Sequence, residues 1–327
     1  MKCRCGYEIG GEKMPYVNTK DILEKANKEF YAVPALNINN LEFLHAIVDA
    51  GVEEHSPVII ETSEGAIKYA GNGDAKLGAR LFVSMVKGYA DTVEIPISLH
   101  VDHGKNFDIL MAAIQSGYSS VMIDASEYPF EKNVNETKKI VEIAHSLGVS
   151  VEAELGRLVG IEDNVVVESH EAALVDPYEA KRFVEETGID FLAPAIGTSH
   201  GAFKFKGEAR LDFERLKKVK ELTGLPLVLH GASSVPEEVK NLAEKYGADF
   251  KGAKGVPGEI LAESVRYGIN KVNTDTDLRM AFIASLREFL AKNPGEFDPR
   301  KYFKTPKELV KNVIKARMRL LGCSNKA

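Results

Sequence analysis

Eight short runs of β-branched and apolar residues recur along the chain, each followed by a stretch of helical periodicity. This alternation constrains the fold more than any other feature. The runs are residues 30–38 (FYAVPALNI), 57–62 (PVIIET), 97–103 (ISLHVDH), 119–125 (SSVMIDA), 150–155 (SVEAEL), 190–196 (DFLAPAI), 226–231 (PLVLHG) and 269–275 (INKVNTD). Several are apolar at nearly every position, as parallel strands covered on both faces require. The segments between them carry helix punctuation. Asn133 to His145 is followed by Leu147-Gly148, where glycine suits a C-cap. Leu211 to Leu222 has Asp212 as its candidate N-cap and Gly224 as its stop. Pro236-Glu237-Glu238 reads as a first helical turn.

Eight strand–helix units predict an α/β fold, specifically a (β/α)8 TIM barrel. An open doubly wound sheet is the rival, and it would be expected to carry a glycine-rich dinucleotide turn after an early strand. Gly71-Asn72-Gly73 follows no predicted strand, and Gly252-Ala253-Lys254 lacks phosphate-loop spacing. No repeat, low-complexity segment or linker interrupts the pattern. The reading is therefore one barrel domain over residues 14–327, with residues 1–13 as a dispensable extension or a misassigned start, because Met14-Pro15 is itself a candidate translation start. Residues 305–320 predict an additional C-terminal helix packed on the outside.

Composition narrows the function classes. The chain has 327 residues, 44% of them hydrophobic, enough for one large core. Its net charge of -6 gives it no general attraction for nucleic acid or anionic lipid. An anionic small molecule would need a local cationic pocket. No apolar run reaches the roughly 20 residues of a membrane helix, and the N-terminus has no secretory apolar core. Three cysteines, Cys3, Cys5 and Cys323, cannot form a disulfide framework, which suits a reducing cytoplasmic setting. Cys3 and Cys5 lack a second Cys/His pair nearby, so they do not complete a metal knuckle.

In a TIM barrel the chemistry sits at the C-terminal ends of the strands. The predicted strands end in Asp102-His103, Glu154, His230, and Asn273 with Asp275, and His200 follows the sixth. Any one of these histidines alone is more often structural. Three imidazoles delivered to one rim, with an open fourth position, are the usual catalytic zinc arrangement. His45, His55, His145 and His170 fall in helical or loop patterns, and His100 shares a strand face with Asp102. Three loops in succession also have phosphate-binding character: Gly197 to Lys204, His230 to Ser234, and Asn273 to Thr276. Glycine lets backbone N–H groups approach an anion, and hydroxyls and a lysine complete the shell.

At these residues the sequence resembles a known family. LHVDHG, SVMIDAS, VEAELGRLVGIEDN, PAIGTSHGAFKFKG, PLVLHGASSVP and INKVNTDTDLR are similar, in order, to the motif segments of class II fructose-bisphosphate aldolases, in their shorter class IIb-like branch. The likeness runs from about Val17 to Leu321. Val33-Pro34-Ala35-Leu36-Asn37 departs from the glycine-containing form expected at the first strand but keeps Asn37.

The resemblance implies zinc-dependent, reversible cleavage of fructose 1,6-bisphosphate to dihydroxyacetone phosphate and glyceraldehyde 3-phosphate. It implies His103, His200 and His230 as zinc ligands, with Glu154 as an alternative ligand. It implies Asp102 as the acid/base at the C4 hydroxyl, Glu162 in a flexible Gly156–Asn164 loop as the base at C3, and Asn273 in contact with the enediolate. Gly201, Lys204, Gly231, Ser233, Asp275 and Thr276 would bind the C1 phosphate, with Asn37 also in the site. Ser63 and Arg300 would serve the C6 phosphate, Arg300 arriving from a neighbouring subunit of a homodimer or homotetramer. Na+ or K+ would assist near the phosphate.

Three other readings remain at the level of sequence. A tagatose 1,6-bisphosphate aldolase shares almost every motif and differs in the C4 stereochemistry of its substrate. A barrel metallohydrolase could use three histidines and an aspartate, but would commonly take an HxH pair from its first strand, where this chain has Asn37 and Asn39. A non-enzymatic phosphosugar-binding protein would not need Asp102, Glu162 and three histidines together.

Overall fold

A computed structural model describes residues 15–156, 159–162, 165–166, 174–200, 211–249 and 255–327, with the backbone alone at 159–162, 165–166 and 199–200. The strands in chain order are β1 (Val33–Asn37), β2 (Val58–Ser63), β3 (Ile97–Gly104), β4 (Ser120–Ile123), β5 (Ser150–Leu155), β6 (Val159–Glu162), β7 (Val165–Val166), β8 (Phe191–Pro194), β9 (Ser199–His200), β10 (Leu227–Leu229) and β11 (Ile269–Thr274). Eight of them close into a parallel barrel in the order β1-β11-β10-β8-β5-β4-β3-β2. Closure rules out the open doubly wound sheet. These are the eight runs picked out in the sequence, each shifted by no more than a few residues.

The expected helix signals operate as caps. Asp212 accepts from Arg215 N at 2.9 Å ahead of helix Phe213–Thr223, which ends at Gly224 in the left-handed region. The helix expected from Asn133 begins earlier, at Phe130, runs to Ser146, and is followed by Leu147 and by Gly148 at φ +73. Pro236 precedes helix Glu237–Lys245 by one residue.

Helices Thr19–Glu29 and Lys304–Leu321 are among those outside the eight-fold repeat. Thr19–Glu29 closes the N-terminal end of the barrel, where Thr19 Oγ1 meets Ser120 Oγ at 2.6 Å. The C-terminal helix Lys304–Leu321 buries Val310, Val313, Ile314, Met318 and Leu321. It packs against helices Leu41–Glu54 and Thr276–Lys292, and Arg319 binds Glu54 with contacts of 2.6 and 3.0 Å. The expected outer helix is therefore present, one residue longer at each end.

β6, β7 and β9 form a small separate sheet, in which β6 pairs with β7 antiparallel and with β9 in parallel. Glu162 thus sits in a short strand of a hairpin, where a flexible loop over residues 156–164 was expected. Val159 to Glu162 and Val165-Val166 are β-branched at most positions, which favours pairing once a neighbouring strand is available. Residues 1–13, with Cys3 and Cys5, and also His170, Gly201 and Lys204, lie outside the described residues.

Candidate active site

The barrel interior sorts its inward side chains by depth. Strand alternation puts Ser98, His100 and Asp102 on one face of β3, and Ser150, Glu152 and Glu154 on one face of β5. Register places Glu61 of β2 beside His100, and Ser63 beside Asp102. Lys271 and Asn273 follow the same alternation on β11. Polar side chains therefore fill the shaft from its middle to its C-terminal mouth, where apolar layers would otherwise be expected.

At the mouth, Asp102 is 8% exposed and both of its oxygens are taken. Asn37 Nδ2 donates to Oδ2 and Asn273 Nδ2 donates to Oδ1, each at 2.9 Å. Burial opposes the charge of Asp102, but His103, His230, Lys271 and the Asn37 bond overcome it and hold the carboxyl below its ordinary range. Asp102 is thereby kept ionised, as a proton acceptor must be.

Simple alternation would point Asp102 and His103 to opposite faces. The structure turns them toward the same rim, with His103 Nε2 3.7 Å from Asp102 Oδ1. The reason is a bulge. The β3–β4 register shifts between Val101 and Gly104, and His103 sits at φ +48, in the left-handed region. Gly104 makes the bulge feasible, because a Cβ there would lie 2.5 Å from the Met122 carbonyl oxygen. On its far side the His103 ring meets Asp124, with Nδ1 3.4 Å from Oδ2. Asp124 is itself fixed by the Ser126 hydroxyl at 2.7 Å.

His230 is the pivot of the cluster. Its Nδ1 lies 2.9 Å from Glu154 Oε2 and its Nε2 lies 2.8 Å from Glu152 Oε1. Its ring centroid is 4.5 Å from that of His103. Burial and the neighbouring His103 act against a charged ring, but the two carboxylates win and raise its pKa to about 9. A site that holds a proton between carboxylates this firmly is suited to a cation.

The donor set fits a metal ion. Ligand atoms of Asp102, His103 and His230 all lie within 4.8 Å of one another, and Glu154 stands on Nδ1 of His230. Glu152 occupies the other ring nitrogen, as an outer carboxylate does when it orients a metal-binding histidine. The backbone of His200 pairs with Gly160, so the strand carrying Glu162 runs beside the expected third histidine.

The remaining expected residues fall into two groups. Gly231, at φ +62, and buried Ser233 lie in the loop after β10, and Asp275 and Thr276 lie at the start of helix Thr276–Lys292. Ser63 ends β2 and caps the next helix, accepting from Ala66 N at 3.2 Å. These five belong to the rim. Arg300 stands apart. Its side chain is 88% exposed and binds Asp298 at 2.9 Å, with no hydrogen bond to the rim among the described residues.

Sequence reading missed Glu61, Glu152, Lys271 and Asp124. Lys271 is fully buried, 2.8 Å from Glu152 and 2.6 Å from Glu61, and also donates to Asn273 Oδ1 at 2.9 Å. One ammonium faces two carboxylates. Glu152 also accepts from His230 and stays charged, well below the ordinary carboxylate range. Glu61 yields instead. Burial, against the pull of Lys271 and with the push of Asp102 and Glu152, raises it to about 8. A usable signal existed, because a lysine in the middle of a buried strand needs a partner.

The raised carboxyl makes a stability prediction. The unfolded chain ionises Glu61 near its ordinary value of 4.5, and the folded chain near 8. Folding thus requires a retained proton between those values, so stability falls as pH rises from about 4.5 to 8. Glu61→Gln removes that penalty. Thermal unfolding should show a gain of about 1–3 kcal/mol near pH 8 and almost none near pH 5. Equal effects at both pH values would contradict it.

A closed parallel barrel with imidazoles and carboxylates converging at its C-terminal mouth is the architecture of a barrel enzyme, and its donor set is that of a metal site. Comparison with known proteins then fixes the family. The family model described as Fructose-bisphosphate aldolase class-II matches residues 17–326. The chain is 55% identical to the fructose-bisphosphate aldolase of Helicobacter pylori over 311 residues, covering 95% of this chain and 99% of that protein. It is 48% identical to the fructose-bisphosphate aldolase of Thermus caldophilus, covering 94% and 98%. Among solved structures, the YdjI aldolase of Escherichia coli K12 superposes with a TM-score of 0.76 at 30% identity, covering 95% of this chain and 99% of that one. This chain belongs to the class II fructose-bisphosphate aldolase family. It is an enzyme, a carbon–carbon lyase.

Proposed function

We propose that the chain catalyses the reversible aldol cleavage of fructose 1,6-bisphosphate to dihydroxyacetone phosphate and glyceraldehyde 3-phosphate, with zinc as its metal. The observation that carries this reading is Asp102, held ionised between two carboxamides beside His103 and His230. The named activity of the Helicobacter and Thermus relatives supports the choice of sugar.

His103, His200 and His230 would hold the zinc, with Glu154 as an alternative ligand. When bound, zinc supplies Lewis-acid stabilisation of the negative charge that develops at the substrate ketone. Asp102 accepts the C4 hydroxyl proton as the C3–C4 bond breaks and returns it in condensation. Glu162 moves the C3 proton of dihydroxyacetone phosphate. Asn273 orients Asp102 and the reacting oxygens. Gly201, Lys204, Gly231, Ser233, Asp275 and Thr276 take the C1 phosphate, with Na+ or K+ nearby. Ser63 and a neighbouring subunit's copy of Arg300 take the C6 phosphate in a homodimer or homotetramer. The exposure of Arg300, paired to nothing but Asp298 among the described residues, suits a side chain that serves another subunit. The reading places the enzyme in the cytoplasm, in the breakdown and synthesis of hexose phosphates.

The test is a coupled cleavage assay on fructose 1,6-bisphosphate, with tagatose 1,6-bisphosphate alongside, before and after chelation and zinc return. Activity on the fructose sugar should vanish with EDTA and return with zinc. Faster tagatose turnover would reassign the substrate. Activity that survives demonstrated metal removal would overturn the mechanism.

A further inference from the structure

The phosphate loop after β10 is braced from behind by a buried charge pair that is not among the expected site residues. Asp277, fully buried in the first turn of helix Thr276–Lys292, accepts from Ser234 N at 2.9 Å through Oδ1. Its other oxygen, Oδ2, binds the guanidinium of Arg317. Arg317 comes from the C-terminal helix, is 5% exposed, and reaches the loop itself through the Ala232 oxygen at 3.5 Å and the Ser234 oxygen at 3.4 Å. The loop that carries Gly231 and Ser233 is therefore held by three parts of the chain: the start of one helix, the end of another, and the segment at 255–256, where Val256 N donates to Ser233 O at 2.8 Å.

The charges matter as much as the geometry. Asp277 puts a carboxylate directly behind a loop expected to receive a phosphate dianion. An uncompensated buried carboxylate there would repel that dianion, and the guanidinium of Arg317 cancels it. We propose that Arg317, acting through Asp277, is a positioning residue that sets the phosphate affinity of the Gly231–Ser234 loop, so that the C-terminal helix is part of the substrate-binding apparatus. The proposal rests on the phosphate role given to this loop above. Arg317 touches no substrate in this scheme. It fixes where the loop N–H groups point and removes the field that would oppose the anion.

The experiment compares the whole protein with Arg317→Met, Asp277→Asn and the double variant Asp277→Asn/Arg317→Met. Asparagine keeps an oxygen for Ser234 N and discards the charge. Two readouts are taken: steady-state kinetics on fructose 1,6-bisphosphate, and calorimetric binding of inorganic phosphate. Arg317→Met should raise KM and weaken phosphate binding by about tenfold or more, with a smaller change in kcat. The double variant should recover most of the lost phosphate affinity, because it removes the buried carboxylate together with the guanidinium that offsets it. A merely structural pair predicts otherwise: a lowered melting temperature with unchanged KM, or a double variant no better than Arg317→Met. Either result overturns the proposal. If Arg317→Met does not fold, Asp277→Asn alone decides, since it must bind phosphate at least as tightly as the parent. Failure of the parent protein to cleave the sugar would overturn the proposed function, while the calorimetry still reads the charge argument.

Discussion

Asp102→Asn should lower kcat by about 10²–10⁴-fold while the protein stays folded and its metal content is unchanged. The substitution preserves shape but removes a carboxylate that His103, His230, Lys271 and the Asn37 bond keep ionised at the mouth. It also turns one acceptor into a donor facing a donor, since Asn37 and Asn273 both present their Nδ2 groups. The loss therefore combines a missing proton acceptor with a disturbed Asn273. Metal content by elemental analysis separates this from a binding defect. A variant that matches the parent's metal content and turns over within about tenfold of it would remove Asp102 from the proton-transfer role.

The second large effect is on stability. Lys271→Met should cost about 3–5 kcal/mol, because it strips the ammonium from a buried carboxylate and leaves Glu152 facing the imidazoles of His230 and His100. That is a large share of the stability of an ordinary domain, typically about 5–15 kcal/mol. Denaturant unfolding measures it. The companion variant Lys271→Met/Glu152→Gln discards both charges and should be less destabilised than Lys271→Met alone. Activity should fall too, because Lys271 also holds Asn273 by its amide oxygen, and Asn273 holds Asp102. If Lys271→Met unfolds at the same denaturant concentration as the parent, the buried network is not what supports the barrel interior.

The two predictions concern residues with very different histories in the sequence. Asp102, His103, Glu154 and His230 were legible because they end strands, and strand ends in a barrel face a common mouth. The eight strands were legible because burial on both faces leaves several of them apolar at nearly every position and the units recur in order. Glu152 and Lys271 lie only two residues from Glu154 and Asn273, on the same strand faces. Their pairing was not legible, since β5 and β11 are far apart in the chain and meet only across the closed barrel. Arg317 was hidden for the same reason. It reads as one cation among several on an amphipathic helix, and becomes distinct only when the helix lays it against Asp277.

Local chemistry determined the order and kind of the elements, their caps, and the residue types delivered to the mouth, because each depends on neighbours within a few residues. The tertiary structure decided the rest. It bent His103 out of strand alternation at a bulge closed by Gly104. It placed Glu162 in a hairpin beside the strand of His200. It set one lysine between two carboxylates, leaving one charged and one neutral. Such outcomes depend on distances between groups remote in sequence and on the loss of water around them, and neither is fixed until the barrel closes.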